Sequence, residues 1–121
     1  PAVGAASPRF DLQSLAGEAL AAGGVTTMPT LVFFLSPTCP VCKKLLPVLR
    51  SLVRDEGRAL RVVLASDGEP EPHRRFARDY RLDDLPYVLS TELGLRYGVG
   101  KLPHAILIDA AGVVKAKGLV R

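Results

Sequence analysis

The sequence has no tryptophan, two histidines and two cysteines among its 121 residues. Two cysteines are too few for the several disulfides that hold small secreted domains together, and a chain of this length can bury a core without them. A tetrahedral zinc site needs four ligands, and only His73 and His104 remain besides the acids. We therefore predict that Cys39 and Cys42 form a redox pair. Half of a metal site and an inert structural disulfide are the alternatives, and no metal or cofactor is predicted.

Long apolar runs and dense basic stripes are also absent. No run approaches the ~18 residues of a membrane-spanning helix, and residues 1–10 lack the charged start and apolar centre of a signal peptide. The net charge is +4, but the 16 lysines and arginines are scattered and aromatic residues make up only 6%. This pattern argues against nucleic-acid binding. The chain opens Pro-Ala-Val-Gly without methionine, so any export signal or anchor is expected outside these residues.

The hydrophobic pattern predicts one α/β domain over residues 10–121, preceded by a loosely ordered lead-in over residues 1–9. Strand–helix–strand followed by a terminal hairpin gives a central mixed sheet with helices on both faces. A covering C-terminal helix is expected to be missing through truncation. The predicted elements are a hairpin around Gly17, a buried strand over 30–35, a helix from Cys39 to Arg54 kinked at Pro47, a strand over 60–65, a loop over 66–72, a helix over 73–80, an extended segment over 85–88, a short helix over 91–97, and strands over 105–109 and 113–117.

The segment Cys39-Pro40-Val41-Cys42 follows the buried strand and opens the first helix. Two cysteines three residues apart in a first turn share one face and can close a disulfide. Free N–H groups and the helix dipole favour a thiolate at Cys39, which is then the exposed nucleophile, while Cys42 is the resolving thiol. Pro40 stiffens the loop, and Val41 offers an apolar contact surface. Without a histidine between the cysteines, we expect a less oxidising couple than Cys-Pro-His-Cys would give.

A second feature is Lys101-Leu102-Pro103-His104, immediately before a predicted strand. The Leu102–Pro103 peptide is a candidate cis bond. Alternatively, Pro103 starts the strand in trans. His104 is either an accessory group near the dithiol or an ordinary surface histidine.

The stretch from Phe33 to Pro47 resembles thioredoxin-like proteins of the TlpA/redoxin type, within the membrane-anchored periplasmic branch that serves methylamine utilisation. The similarity extends through Pro8-x-Phe10-x-Leu12, Tyr97-Gly98-Val99-Gly100 and Ile108-Asp109-x-x-Gly112. It implies a thioredoxin-like fold with Cys39 and Cys42 as the redox couple. It also implies that Pro103 is a cis-proline facing the couple and that Leu102 lends backbone hydrogen bonds to a substrate chain.

The same resemblance implies formation or correction of disulfides in a cysteine-containing protein, such as the small subunit of methylamine dehydrogenase. The implied location is the periplasmic side of the bacterial inner membrane, with a membrane or periplasmic redox partner and no nucleic acid. The soluble fragment is expected to be a monomer.

Two departures from the family pattern bear on the direction of electron flow. Thioredoxins bury an acid six residues before the first cysteine, where this chain has Phe33, and many cytochrome-maturation reductases place a glutamate three residues after the second cysteine, where it has Leu45. The missing acids favour an oxidase or isomerase over a reductant for cytochrome c or copper-site maturation. The alternatives from other classes are a peroxidase and a metal-binding or chaperone module.

Overall fold

The computed structural model describes residues 1–120. Arg121, the last residue of the predicted domain, lies outside the described part. The elements in chain order are β1 (Phe10–Gln13), β2 (Ala19–Ala22), β3 (Thr30–Phe34), α1 (Pro40–Glu56), β4 (Arg61–Ser66), α2 (Pro70–Asp79), β5 (Tyr87–Leu89), α3 (Thr91–Arg96), β6 (His104–Ile108) and β7 (Val114–Leu119).

The strands form an N-terminal antiparallel hairpin, β1–β2, and a five-stranded sheet in the order β5-β4-β3-β6-β7. Strand β4 runs parallel to both β3 and β5, whereas β6 is antiparallel to both β3 and β7. The predicted α/β class, with a central mixed sheet and an N-terminal hairpin, is therefore confirmed. Because β3 and β4 are parallel, their C-terminal ends meet at one edge of the sheet, and β6 begins at the same edge.

The sheet separates two hydrophobic cores, because successive side chains of a strand point to opposite faces. Val32 and Phe34 belong to the core on the side of the β1–β2 hairpin, which we call the hairpin-side core. Phe33 and Leu35 belong to the core on the side of α1, which we call the α1-side core. The hairpin-side core also takes in residues from the hairpin and α3, namely Phe10, Ala22, Leu93 and Tyr97. The α1-side core also takes in residues from α1 and α2, namely Cys42, Leu46, Leu49 and Phe76. Helices thus cover both faces, as predicted.

Helix α1 is 17 residues long and begins at Pro40, with Cys39 as its N-cap. Proline suits a first helical position, because the N–H that it lacks would have no partner inside the helix. The helix continues through Pro47, which leaves the Lys43 carbonyl without its usual helical donor. Over the described residues, no helix is both long enough and apolar enough to cross a membrane.

Helix α2 begins at Pro70, three residues before the predicted start at His73. The polar character of residues 66–72 predicts a loop there. A first helical turn tolerates proline, since its N–H groups are unpaired in any case. The loop prediction is therefore wrong for residues 70–72, and the loop that remains between β4 and α2 is short.

The predicted lead-in over residues 1–9 is hydrogen-bonded to the rest of the domain. The Gly4 amide donates to the Val114 carbonyl at 2.8 Å, and the Ser7 amide donates to the Gly112 carbonyl at 2.7 Å. The Ser7 hydroxyl is buried beside the Tyr97 hydroxyl, 2.5 Å away. These bonds fasten residues 4–7 along the start of β7.

Candidate active site

Cys39 occupies the point where the chain leaves β3 and enters α1. Its sulfur accepts a hydrogen bond from the Cys42 backbone N–H at 3.1 Å, which is the geometry of a capping side chain. The Cys39 amide donates to the Ser36 carbonyl at 3.1 Å, so the preceding turn is also held. The half-buried sulfur of Cys39 therefore lies at the positive end of the helix dipole, where a thiolate is stabilised.

Cys42 lies one turn further along α1 and is completely buried. The two cysteine sulfurs are joined as a disulfide, with their Cα atoms 5.2 Å apart. Cys42 belongs to the α1-side core together with Phe33, whose exposure is 3%. The surroundings of the two sulfurs therefore differ, since one is partly accessible and capped while the other is enclosed by apolar side chains.

The Leu102–Pro103 peptide bond is cis, and it comes immediately before β6. Pro103 is fully buried, and its carbonyl accepts a hydrogen bond from the Val120 amide at 2.9 Å. We call the segment that leads through Leu102 and Pro103 into β6 the proline loop. The register pairs Phe34 with His104, so the proline loop and the turn leading to Cys39 lie at the same edge of the sheet. The structure thus brings the dithiol and the proline loop to one end of the molecule.

Exposed apolar side chains mark this end of the molecule. Val41, between the two cysteines, is 45% exposed, and Leu102 is 39% exposed. Leu95 on α3 is 75% exposed. Large apolar side chains that stay in contact with water are often used to bind a partner, provided that they are grouped.

A groove of about 210 Å³ runs across the same edge of the sheet and includes both Leu95 and Leu102. We call it the Leu102 groove. Its floor is the end of β3, and its walls include the β4–α2 turn and the part of α3 that carries Thr91, Gly94 and Leu95. The lining residues are Phe34, Leu35, Ala65, Ser66, Asp67, Ser90, Thr91, Gly94, Leu95, Val99, Gly100 and Leu102. A larger cavity of about 620 Å³ lies between the β1–β2 turn and α2, and none of the predicted site residues lines it.

His104 packs on the opposite face of the sheet from Cys42. Its ring lies edge-on to Phe34, with centroids 6.2 Å apart, and Phe34 belongs to the hairpin-side core. Burial, with the charge of Lys117 as a smaller cause, lowers the pKa of His104. Its Nε2 atom is buried without a hydrogen-bond partner among the described residues. The structure therefore does not group His104 with the dithiol.

His73, considered from the sequence only as a possible zinc ligand, is buried with 4% exposure. Its two ring nitrogens contact the Tyr87 hydroxyl and the Asp67 carbonyl, each at 2.6 Å. Asp67 lines the Leu102 groove. One feature of the sequence indicates that His73 is buried: it shares a helical face with the apolar Phe76, three residues later. Its contacts to Tyr87 and Asp67 have no such indication, because they depend on tertiary structure.

Metal ligands are not clustered in the described part of the chain. Among residues 1–120, no group of three or more histidine, cysteine, aspartate or glutamate side chains is placed to hold a metal ion. The chemistry that the site offers is therefore carried by the two sulfurs and their surroundings.

Comparison with known proteins gives both a family and relatives. The AhpC/TSA family profile matches residues 3–117. The chain is 44% identical over 119 residues to the methylamine utilization protein MauD of Paracoccus versutus, covering 98% of this chain and 59% of that protein. It is 46% identical over 121 residues to MauD of Methylorubrum extorquens, covering 98% of this chain and 58% of that protein. The chain therefore spans less than two thirds of the relatives' own lengths.

Among solved structures, the fold is similar to the C-terminal domain of a putative thiol-disulfide oxidoreductase from Bacteroides thetaiotaomicron. The TM-score is 0.85 at 20% identity, over 99% of this chain and 88% of that one. This likeness confirms the thioredoxin-like fold. Together with the family match over residues 3–117, it leads to one conclusion: the chain belongs to the AhpC/TSA family of thioredoxin-like proteins.

Proposed function

We infer that this chain is the redox domain of a thiol–disulfide oxidoreductase, which exchanges disulfides between Cys39–Cys42 and the cysteines of a protein client. The observation that carries the proposal is the asymmetry of the two sulfurs. Cys39 is partly exposed and its sulfur accepts the Cys42 N–H, whereas Cys42 is 0% exposed. An attacking thiol must be accessible and stabilised as a thiolate, and a resolving thiol needs only to reach its neighbour.

In the oxidising direction, a client thiolate attacks the Cys39 sulfur of the disulfide. A bond forms between the client sulfur and Cys39, and the Cys39–Cys42 bond breaks, leaving Cys42 to take up a proton. A second client thiolate then attacks the client sulfur of the mixed disulfide and releases Cys39 as a thiolate. The client loses two electrons and two protons, and the dithiol gains the two electrons. A membrane or periplasmic redox partner resets the pair.

The groups proposed to bind the client chain surround the dithiol. Leu102 offers its backbone beside cis-Pro103, and the exposed Val41 and Pro40 offer an apolar surface next to the attacked sulfur. The Leu102 groove, with Leu95 on its far side, takes an apolar side chain of the same client segment. Neighbouring backbone and apolar contacts of this kind suit an extended client segment rather than a small molecule.

The proposed direction of electron flow is supported by two of the residues that lie in or against the core around Cys42. Phe33, at 3% exposure, occupies the same core, and Leu45 packs against that core from α1. Neither side chain can take a proton from Cys42 when it attacks a mixed disulfide, so neither position supplies a general base for the step that completes reduction of a client. This absence supports an oxidase or isomerase rather than a reductant.

The client and location are proposed from the relatives, which are named for methylamine utilisation. We propose the small subunit of methylamine dehydrogenase as the client, on the periplasmic side of the inner membrane, with any anchor outside this chain. The proposed state of the domain itself is a monomer.

Activity is tested with reduced, unfolded ribonuclease A as substrate and the oxidised chain as the reagent. We expect ribonuclease activity to return with the wild-type chain and not with Cys39→Ser. Cys42→Ala, mixed with scrambled, disulfide-bonded ribonuclease A, is the matched control: its Cys39 thiolate attacks a substrate disulfide and releases one substrate thiolate. The mixed disulfide that forms cannot be resolved by Cys42 and should persist until dithiothreitol releases it. Failure of the wild-type chain to oxidise the substrate, together with no trapped adduct, would contradict the proposed function.

The client is tested with the same Cys42→Ala variant, activated at Cys39 with a nitrobenzoate disulfide and mixed with the reduced small subunit of methylamine dehydrogenase. We expect a covalent adduct to form faster than with reduced ribonuclease A at equal thiol concentration. Equal rates for the two proteins would contradict this choice of client but not the oxidoreductase chemistry.

A further inference from the structure

His73 is a buried polar side chain that the proposed reaction does not use. It lies on the first turn of α2 with 4% exposure, and neither of its ring nitrogens hydrogen-bonds to the dithiol. Its Nε2 atom is 2.6 Å from the Asp67 carbonyl, and its Nδ1 atom is 2.6 Å from the Tyr87 hydroxyl. Both ring nitrogens are thus engaged, each with a different structural element.

The chemistry of the two partners fixes the proton of the neutral ring. A backbone carbonyl can only accept, so Nε2 must carry the hydrogen and donate it to Asp67. Nδ1 then has a lone pair and accepts from the Tyr87 hydroxyl. The ring therefore joins the β4–α2 turn, through Asp67, to strand β5, through Tyr87.

The two ends of this link differ in how firmly they are held. Tyr87 is 3% exposed, pairs with Leu64 in the sheet, and accepts from the Leu15 amide at 2.8 Å through its carbonyl. Asp67 is exposed, and the following Gly68 has a φ of 98°. The N-cap of α2, Glu69, makes no side-chain capping bond. The turn thus lacks the usual support at a helix start, and His73 supplies a bond to it from inside the protein.

The turn that His73 holds is a wall of the Leu102 groove. Asp67 and the adjacent Ser66 line the groove, as does Leu102. The Ser66 carbonyl in turn accepts from the Ser90 amide at 2.9 Å, and Ser90 caps α3 on the neighbouring wall. A displacement of the turn would therefore change the width of the groove without contacting either cysteine.

We propose that His73 is a positioning residue for client binding: its Nε2–H holds the Asp67 carbonyl, and with it the β4–α2 wall of the Leu102 groove, at the width that a client side chain requires. This inference rests on the proposed function of the groove. It assigns to His73 an effect on client affinity and none on the thiol chemistry.

The test compares His73→Phe with the wild-type chain in the oxidation of a two-cysteine peptide with apolar flanking residues, with glutathione disulfide present to reoxidise the dithiol after each turnover. We expect KM to rise about tenfold, which is the size of effect that one hydrogen bond of ordinary net strength produces, while kcat and the reduction potential of the dithiol stay unchanged. His73→Gln retains a donor near the Nε2 position and should restore KM to within about twofold of wild type. Arg75→Ala, an exposed change on the same helix, is the matched control.

An unchanged KM in a destabilised His73→Phe variant would show a purely structural role and overturn the proposal. A shifted reduction potential would overturn it as well. If His73→Phe does not fold, nitrogen-15 NMR of the wild-type imidazole decides, because the proposal requires the Nε2–H form and the Nδ1–H form would overturn it. An inactive wild-type chain would contradict the proposed function instead, and the NMR measurement would still report on His73.

Discussion

Cys39 and Cys42 are three residues apart in sequence but differ in their surroundings. The N-cap position places the Cys39 sulfur within 3.1 Å of a backbone N–H, whereas apolar side chains of the α1-side core enclose Cys42. A hydrogen bond to a charged acceptor is roughly twice as strong as one to a neutral acceptor, so this contact strengthens when Cys39 becomes a thiolate. The helix start therefore differentiates two chemically identical residues.

This difference predicts the alkylation rates of the reduced chain. At pH 6, iodoacetamide should modify Cys39 at least about tenfold faster than the same cysteine in the urea-unfolded chain, because only thiolate reacts and the helix start favours it. Peptide mass spectrometry separates Cys39 from Cys42, which serves as the internal control because it is buried. A Cys39 rate equal to that of the unfolded chain would contradict nucleophile activation.

His104 predicts a pH dependence of stability. Burial, together with nearby Lys117, lowers the pKa of this ring in the folded chain below its unfolded value of about 6.5. At pH values between the folded and the unfolded pKa, the unfolded state binds more protons than the folded state. The contribution of the buried, neutral His104 ring to stability is therefore fully present above about pH 6.5 and is lost as the pH falls through the folded pKa. We expect the free energy of unfolding of His104→Phe to fall less steeply than that of wild type between pH 7 and pH 5.

The control for this prediction is Lys117→Met, which removes the neighbouring positive charge and leaves the ring in place. The dependence of its unfolding free energy on pH should be intermediate in slope between those of wild type and His104→Phe. The reason is that burial, which this variant retains, is the larger cause of the lowered pKa of His104. Urea titrations at several pH values measure all three. Superimposable pH profiles for wild type and His104→Phe would contradict the assignment.

At the scale of single residues, the sequence predicted the reactive groups of the site better than the buried side chains that hold the surrounding backbone in place. The Cys-x-x-Cys spacing and the X-Pro dipeptide at Pro103 are local patterns, and each carries its meaning within a few residues. The contacts of His73 join residues six and fourteen positions away. No local pattern encodes such contacts, because they depend on how α2 packs against the sheet.

The hairpin of β6 and β7 shows how one residue determines the shape of an element. Gly112 lies in the connecting turn with a φ of 86°, and a Cβ atom there would lie 2.7 Å from the Gly24 carbonyl oxygen. Any side chain at this position would therefore meet both backbone strain and a collision with a neighbouring loop.

Gly112→Ala should lower the free energy of unfolding by about 2 kcal/mol or more, since the collision adds to the cost of the left-handed conformation. Gly98→Ala is the matched control, because Gly98 has a φ of 69° but no atom within 4 Å of its added Cβ. That variant should lose only about 1 kcal/mol. Equal losses in urea unfolding would show that the contact with Gly24 contributes nothing.

Helix α1 offers a second matched pair at the element scale. Leu49 is 4% exposed in the α1-side core, and its neighbour Val48 is 61% exposed. Leu49→Ala should cost about 2–5 kcal/mol because it opens a cavity, whereas Val48→Ala should change stability by no more than about 0.5 kcal/mol. Urea unfolding measures both. A comparable loss in Val48→Ala would mean that the outer face of α1 is covered in solution.

The elements themselves were largely predictable, since buried strands and an amphipathic helix leave strong periodic patterns. The predicted strand over 30–35 appears as Thr30–Phe34, and the strand over 60–65 appears as Arg61–Ser66. The start of α2 was not predicted, because residues 66–72 are polar, and polar residues occur both in loops and in the exposed first turn of a helix. Sequence alone does not show which case applies.

At the scale of the whole molecule, the mixed sheet brings the functional parts together at one edge. Parallel β3 and β4 end there, antiparallel β6 begins there, and α3 is fastened to the end of β4 through Ser90 and Ser66. The dithiol, the proline loop and the Leu102 groove come from four separate stretches of the chain. The sequence predicted the first two, but the groove exists only once the strand order is known.

The proposed direction of electron flow predicts how the redox state changes the stability of the whole domain. Folding and disulfide reduction form a thermodynamic cycle, so a folded dithiol that is a stronger oxidant than the same dithiol in the unfolded chain has a folded state that is more stable when reduced than when oxidised. Two features favour the reduced form: the Cys39 thiolate can accept the Cys42 N–H, and the core around Cys42 contains Phe33 rather than an acid.

We therefore expect the reduced chain to unfold at a higher temperature than the oxidised chain at pH 7, as measured by circular dichroism with and without dithiothreitol. Cys39→Ser/Cys42→Ser, which has no redox chemistry, is the control and should show one Tm under both conditions. Phe33→Asp should narrow the gap, because a buried carboxylate near the reduced pair costs desolvation and repels a thiolate. A higher Tm for the oxidised wild-type chain would mean that its disulfide stabilises the fold and that folding weakens the dithiol as an oxidant, which would count against the proposed oxidising direction.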